Sequence, residues 1–129
     1  MSIKSDVNVL ATDSGRSTGS QGHLAAKQYL LERLSTLSLE PYKGGTFEIR
    51  YQSNGRNYSN ILAMIEGTDP DLAPVLLGAH YDAVEGTPGA DDNAVGVAIL
   101  LDIAGKLEPH TLSRSVIFAF FDAEEPPNF

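Results

Sequence analysis

The chain has 129 residues, of which 42% are hydrophobic, and this is sufficient for one domain with a core of its own. Its 17 acidic and 9 basic residues give a net charge of −8 with no basic cluster, which argues against nucleic acids and anionic membranes as partners. The sequence contains no cysteine, which excludes disulfides, thiol catalysis and cysteine-bound zinc.

The sequence shows no recognisable targeting or membrane-spanning segment. It has no run of about 18 apolar residues, the length that a transmembrane helix needs. Residues 1–20 lack the apolar region of a secretory signal peptide. We therefore expect a cytoplasmic protein with no membrane partner.

Helical patterns dominate the N-terminal region. A short helical turn is expected over residues 7–11. Ser20 is a suitable N-cap, and alanine and leucine then recur at helical spacing, which predicts a helix over about residues 21–37. His23 falls in the first turn of this helix and is expected at the surface.

A β-hairpin is predicted next. Apolar and polar residues alternate over about residues 46–52, as in a strand with one buried face. The pair Asn54-Gly55 tolerates the positive φ angles of a two-residue turn, which predicts a returning strand over about residues 57–66.

Two further strands are predicted over about residues 75–80 and 115–121. Both are apolar without alternation, which is typical of strands covered on both faces. The apolar segment between them, about residues 93–107, is too long for a strand and predicts a buried helix. A strand–helix–strand unit of this length forms a right-handed crossover between parallel strands.

Acidic residues lie at the ends of both strands and at the start of the helix between them. A histidine ends the first strand. His80 and Asp82 end the first strand, Asp91-Asp92 opens the helix, and Glu124-Glu125 follows the second strand. In open α/β sheets such positions meet at one edge. Carboxylates crowded there without a cation would repel one another, so the sequence predicts a bound divalent metal.

The donor types narrow the choice of metal. An imidazole among carboxylates suits zinc, with manganese or cobalt as alternatives, because calcium and magnesium sites rarely recruit histidine. Asp82 lies on the same face of an extended strand as His80 and can orient its ring. Glu124 and Glu125 are expected to point to opposite sides, so that one binds metal while the other reaches a bound water.

Three segments that carry these residues resemble a known family. In order, GAHYD, PGADDNAVG and FAFFDAEEPP resemble signatures of the zinc aminopeptidases of metallopeptidase clan MH, typified by bacterial leucyl aminopeptidase and aminopeptidase Y. GRSTGSQGHLAAKQYLLERL is similar to the first helix of that family. The resemblance implies an α/β fold with a three-layer mixed sheet of the zinc-exopeptidase (phosphorylase/hydrolase-like) type. In that fold, the strand of Ser115–Phe121 lies between the hairpin and the strand of Val75–His80.

The resemblance also implies roles for individual residues. His80 would ligate one zinc, Asp92 would bridge two zinc ions, and Glu125 would ligate the second. Glu124 would be the general base and Asp82 would orient His80. The implied reaction is hydrolysis of the N-terminal peptide bond of a peptide or aminoacyl substrate by a zinc-activated water. The family also implies a cis peptide bond directly after the bridging aspartate.

The resemblance covers only about the N-terminal half of the family's catalytic domain. The family takes a further aspartate and a further histidine ligand from later in the chain, whereas this sequence ends at Phe129. His110 falls in a loop at the opposite end of the sheet. We expect residues 1–129 to form a single partial zinc-peptidase domain, truncated after the strand carrying Glu124-Glu125. Such a chain should have little peptidase activity alone and should self-associate through an exposed sheet edge.

Other functions within and outside the family also fit the sequence. Glutaminyl cyclases share a similar His-Tyr-Asp and Glu-Glu with one zinc, and carboxypeptidase-type members of the clan share the two-metal plan. A non-catalytic module that keeps the fold is a further alternative. The short interval between His80 and Asp92 and the PGADDN segment favour the aminopeptidase.

Overall fold

The computed structural model describes residues 1–128 and contains helices α1 (Ile3–Leu10), α2 (Gln21–Thr36) and α3 (Val95–Leu107). A π-helical turn, Ala90–Ala94, leads directly into α3. The strands are β1 (Glu40–Pro41), β2 (Glu48–Ser53), β3 (Arg56–Ile65), β4 (Val75–His80) and β5 (Val116–Phe121). None of the helices within these 128 residues has the length and apolarity needed to cross a membrane.

The two N-terminal helices are each started by a serine cap. Ser20 caps α2 as predicted, with its hydroxyl accepting a hydrogen bond from the His23 N–H at 3.1 Å. The helix α1 begins earlier than its sequence pattern suggests, because Ser2 and Ser5 form a capping box. In it, each serine hydroxyl accepts a hydrogen bond from the backbone N–H of the other.

The predicted hairpin is confirmed as β2 and β3. Asn54 and Gly55 have φ angles of 51° and 74°, the positive values that a tight turn between twisted strands requires. Antiparallel pairing aligns Tyr51 with Tyr58, and their rings stack with centroids 5.3 Å apart.

The strands form one mixed sheet in the order β1-β3-β5-β4, with β2 also paired to β3. The β3 and β5 strands are antiparallel, whereas β5 and β4 are parallel. The predicted mixed α/β fold, with β5 between the hairpin and β4, is therefore confirmed. The parallel register places His80 opposite Phe121, so the segments after both strands leave the sheet at the same edge.

The core lies between the helices and one face of the sheet. It includes Leu30 and Leu34 of α2, Val97 and Leu101 of α3, and alternate residues of the strands, namely Ile61, Ala63, Ala79, Val116, Phe118 and Phe120.

The β4 strand is less covered than its apolar sequence predicts. Val75 and Leu76 are 43% and 53% exposed. Within the described chain, β4 pairs only with β5 and so forms an edge of the sheet. The expectation that β4 is covered on both faces is therefore wrong for these two residues, whereas β5 is buried along most of its length.

Candidate metal centre

The edge at which β4 and β5 end brings together acidic residues from three separate segments. His80 ends β4, and its Nε2 lies 2.9 Å from Asp92 Oδ1 and 3.6 Å from Glu124 Oε2. His80, Glu124 and Glu125 each offer one ligand atom, and these atoms all lie within 4.8 Å of one another. The geometry therefore places Asp92, Glu124 and Glu125 beside His80 in one cluster, and their roles as metal ligands stay predictions.

Asp82 contacts both the ring of His80 and the backbone of the two glutamates. Its carboxylate is fully buried, and Oδ1 lies 3.2 Å from His80 Nδ1. Oδ1 and Oδ2 also accept hydrogen bonds from the backbone N–H groups of Glu124 at 3.2 Å and Glu125 at 3.0 Å. A proton on Nδ1, donated to Asp82, leaves the Nε2 lone pair available to a metal. The contact with His80 was predicted, but the contacts with the glutamate backbone were not.

The chain turns sharply between β5 and the two glutamates. Ala123 has φ 60°, a left-handed conformation that costs a non-glycine residue about 1–2 kcal/mol. This turn directs the next two N–H groups towards Asp82, whose charge-assisted hydrogen bonds oppose that cost. Beyond the turn, the side chain of Glu124 is 57% exposed, whereas Glu125 is 8% exposed.

Asp92 is presented by the turn that precedes α3. Its peptide bond to Asn93 is cis, as the family resemblance implies. The Asn93 side chain then accepts a hydrogen bond from the Gly96 N–H at 3.2 Å, within the first turn of α3. Asp91 is exposed, as is His110, which follows α3 towards the opposite end of β5.

The carboxylate of Glu125 is the part of the cluster that most clearly fits a metal ligand. Its Oε1 is buried and has no hydrogen-bond partner among the described residues. Burial raises the pKa of Glu125, and the nearby carboxylates of Asp92 and Glu124 raise it further. An unpartnered carboxylate oxygen beside an imidazole and other carboxylates forms a donor set that fits a divalent metal such as zinc.

His23 is not at the surface, so that expectation is wrong. It is 9% exposed, its Nε2 lies 2.8 Å from Asp122 Oδ1, and its ring stacks on Tyr81 with centroids 5.0 Å apart. Its position could have been found from the sequence, because it continues the helical spacing of Ala26 and Leu30. The stripe that these residues share faces the core, so His23 is buried with them.

Asp122 gathers hydrogen bonds from three segments next to the cluster. Its Oδ1 accepts from the Thr18 hydroxyl at 3.0 Å and faces His23 Nε2, while its Oδ2 accepts from the Ser59 N–H at 2.9 Å. The Gly19 N–H approaches the other ring nitrogen of His23 at 3.4 Å, so the Nε2–H tautomer fits both contacts. This network fixes the end of β5 directly before the two glutamates.

Replacing Asp122 by asparagine is expected to destabilise the fold by about 1–3 kcal/mol, because the amide group would face donors that the carboxylate satisfies. Burial alone raises the pKa of Asp122, but hydrogen bonds from His23, the Ser59 amide and Thr18 outweigh it, so the net pKa is lowered. A lowered pKa stabilises the fold above the unfolded pKa of about 3.9, and this contribution is lost as the pH falls through the folded pKa. Urea unfolding at several pH values should show the gap between wild type and variant shrinking in acid.

Asp102→Asn is the control for this experiment. Asp102 forms an ion pair with Lys106 within α3, and the ammonium group of that lysine is largely exposed. Its loss should change stability by less than about 1 kcal/mol. Equal losses of unfolding free energy in the two variants would show that the hydrogen bonds of Asp122 add no more stability than an exposed ion pair.

A curated relative covers most of this chain. The vacuolar membrane protease of Schizosaccharomyces japonicus is 34% identical over 111 residues, which are 77% of this chain and 13% of that protein. The chain therefore spans a small part of the length of this relative. Further relatives from Schizophyllum commune and Candida tropicalis carry the same name. The expected cytoplasmic location is wrong, because these relatives are named for the vacuolar membrane.

Solved structures share the fold over nearly the whole chain. A Zn-dependent exopeptidase from Parabacteroides distasonis is 26% identical with a TM-score of 0.73, covering 95% of this chain and 46% of that chain. The glutaminyl cyclase of Macrostomum lignano is 28% identical with a TM-score of 0.75, covering 95% of this chain and 37% of that chain.

The family assignment rests on the segment that contains the cluster. The sequence profile of Peptidase family M28 matches residues 60–127. This range includes β4, the turn before α3, β5 and both glutamates. Together with the curated relative, it establishes that the chain belongs to peptidase family M28.

Proposed function

We propose that this chain provides the metal-binding edge of a zinc-dependent aminopeptidase. The observation that carries the proposal is the convergence of His80, Asp92, Glu124 and Glu125 from three segments, with Asp82 behind them. Membership of the family and the likeness to a Zn-dependent exopeptidase support metal-dependent peptidase chemistry.

The proposed complete site holds two zinc ions. His80 and Asp92 would serve one ion, and Asp92 and Glu125 the other. The buried, unpartnered oxygen of Glu125 supports its place in this set. When bound, zinc lowers the pKa of a coordinated water and polarises the scissile carbonyl.

The side chains next to the ligands supply positioning and proton transfer. The Asp82 carboxylate accepts a hydrogen bond from the Nδ1–H group of His80 and thereby orients the ring. Glu124 is exposed at the edge and its backbone is held by Asp82, so its carboxylate can accept a proton at a fixed position. In the proposed reaction it passes that proton to the leaving amine.

Hydrolysis of aminoacyl anilides is the direct assay of this proposal. The active protein should release the anilide from substrates with a free N-terminus and lose this activity when a chelator removes zinc. N-terminally acetylated substrates are the matched control, since an aminopeptidase should not cleave them. Cleavage of acetylated and free substrates at equal rates would contradict an aminopeptidase.

Glutaminyl cyclisation is the second candidate function. It is favoured by the glutaminyl cyclase of Macrostomum lignano, which shares the fold with a TM-score of 0.75 and 28% identity. Such an enzyme would release ammonia from peptides with N-terminal glutamine and would leave aminoacyl anilides intact. Measuring both products with one preparation separates the two candidates.

Purified residues 1–129 are expected to bind zinc weakly and to show little turnover. The proposed ligands give each ion two protein groups, whereas catalytic zinc usually has three. Calorimetric titration with zinc, run beside the aminopeptidase assay, checks this expectation. Tight binding of two ions with robust turnover by a monomer would mean that the proposed ligand set is incomplete.

We also propose that the β4 edge pairs with a second copy of the chain. Within residues 1–128, β4 has a strand partner on one side only, and Leu76 is 53% exposed on it. An uncovered apolar edge of this kind favours strand pairing between molecules. Sedimentation should show self-association that Leu76→Lys reduces. The control Ile99→Lys, at a residue of α3 that is 42% exposed, should leave it unchanged.

A further inference from the structure

A buried arginine outside the proposed ligand set lies beside the loop between β4 and α3. Arg16 is 1% exposed, and within residues 1–128 no carboxylate forms an ion pair with it. Burying a charge without a partner is costly unless hydrogen bonds compensate. The contacts of its guanidinium group should therefore show what it stabilises.

Among the residues that the structure describes, every hydrogen bond that the guanidinium donates ends on a backbone carbonyl. Nε donates to Tyr81 at 2.9 Å, Nη1 to Pro88 at 2.7 Å, and Nη2 to Gly89 at 2.9 Å. Nη1 also donates to Leu10, at the end of α1, at 2.8 Å. One planar group thus binds the loop at both of its ends and connects them to the N-terminal helix.

These carbonyls belong to the segments that present the candidate ligands. Tyr81 directly follows His80, and Gly89 begins the turn that carries Asp92. The backbone carbonyl of Arg16 also accepts a hydrogen bond from the Ala83 N–H at 3.1 Å, within the same loop. Arg16 therefore connects the start of the loop to its end.

The loop leaves space for the guanidinium group because residue 89 is a glycine. Gly89 has φ 60°, and a Cβ atom there would lie 2.9 Å from Nη2 of Arg16 and 2.7 Å from the Ala83 Cβ. Only glycine leaves this space free while adopting that backbone angle. Burial lowers the pKa of Arg16, whereas the nearby charges of Asp82 and Asp92 act in the opposite direction.

We propose that Arg16 is a positioning residue for the metal centre. By binding the carbonyls of Tyr81, Pro88 and Gly89, it sets the spacing between His80 and Asp92. The inference rests on the proposed function only for the statement that these two side chains bind metal. A lysine would keep the charge but cannot reproduce the planar fork of donors.

The test compares two Arg16 variants with a matched control. Arg33 is also largely buried, but it binds Asp6 at 3.0 Å and joins α2 to α1. Zinc binding is followed through the His80 ring signals in NMR spectra of the purified chain. We expect Arg16→Met to weaken zinc binding by about 10-fold or more and Arg16→Lys to weaken it less. Arg33→Met should stay within about twofold of wild type.

A second measurement on the metal-free chain separates loop position from metal binding. In Arg16→Met, the contact between the His80 ring and Asp92 should weaken in NOE spectra, and exchange of the Ala83 amide should accelerate. Both should stay as in wild type in Arg33→Met. Should Arg16→Met fail to fold, Arg16→Lys provides the same comparison with the charge retained.

The outcomes are decisive in both directions. An unchanged contact between His80 and Asp92 in the Arg16 variants would overturn the proposal, as would an equal disturbance in Arg33→Met. If the contact between His80 and Asp92 is lost in Arg16→Met but unchanged in Arg16→Lys, the positive charge alone is sufficient. That result would also overturn the proposal. The wild-type chain could also bind no zinc at His80 while the loop is displaced in the Arg16 variants. This result would support the positioning role and refute the assignment of a metal site.

Discussion

Replacing Glu124 by glutamine is expected to lower turnover by about 10²–10⁴-fold or more while zinc content stays the same. Glutamine keeps the size of the side chain but cannot accept the proton of the attacking water. Glu124 is the more exposed of the two adjacent glutamates, and its backbone N–H is bound to Asp82 in a way that the substitution leaves intact. The measurement is turnover of an aminoacyl anilide by the complete enzyme, together with metal analysis of the same preparation.

Asp92→Ala is the contrasting variant in this experiment. In the proposed site Asp92 would help to hold the zinc, so its loss should remove metal as well as activity. Wild-type turnover in Glu124→Gln would exclude this residue as the general base. Loss of zinc from Glu124→Gln would instead indicate that Glu124 is a ligand, which its position 3.6 Å from His80 Nε2 would allow.

Replacing Asp82 by alanine is expected to weaken both the fold and the metal site. The buried carboxylate satisfies the N–H groups of Glu124 and Glu125 and faces Nδ1 of His80. Each buried donor left without an acceptor costs about 1–3 kcal/mol. Loss of the partner that orients a metal-binding histidine typically lowers metal affinity about 10–100-fold. Urea unfolding of the metal-free chain and a zinc titration measure the two effects separately.

Asp91→Ala is the matched control for Asp82. Asp91 is an acidic residue of the same region, but it is exposed and takes no part in the cluster. Its removal should change the free energy of unfolding by less than about 0.5 kcal/mol. If Asp82→Ala is no less stable than Asp91→Ala, the hydrogen bonds of Asp82 do not hold the glutamate pair.

The sequence by itself was sufficient for the features that depend on a few neighbouring residues. Ser20 caps a helix because its hydroxyl reaches an N–H in the next turn, and Asn54-Gly55 turns a hairpin because both residues tolerate positive φ. The parallel β4–α3–β5 unit follows from periodicity and length. With it, the meeting of His80, Asp92 and Glu124-Glu125 at one edge could be predicted, because parallel strands end together.

Only the tertiary structure decided the features that depend on contacts between distant segments. His23 pairs with Asp122, which lies 99 residues later in the chain, and Arg16 is buried because its donors reach carbonyls far along the chain. Leu76 is exposed although its sequence is apolar, because no described segment covers it. Asp82 binds the glutamate backbone across the sheet edge. No local pattern encodes such pairings, since they arise from which surfaces remain free once each element has formed.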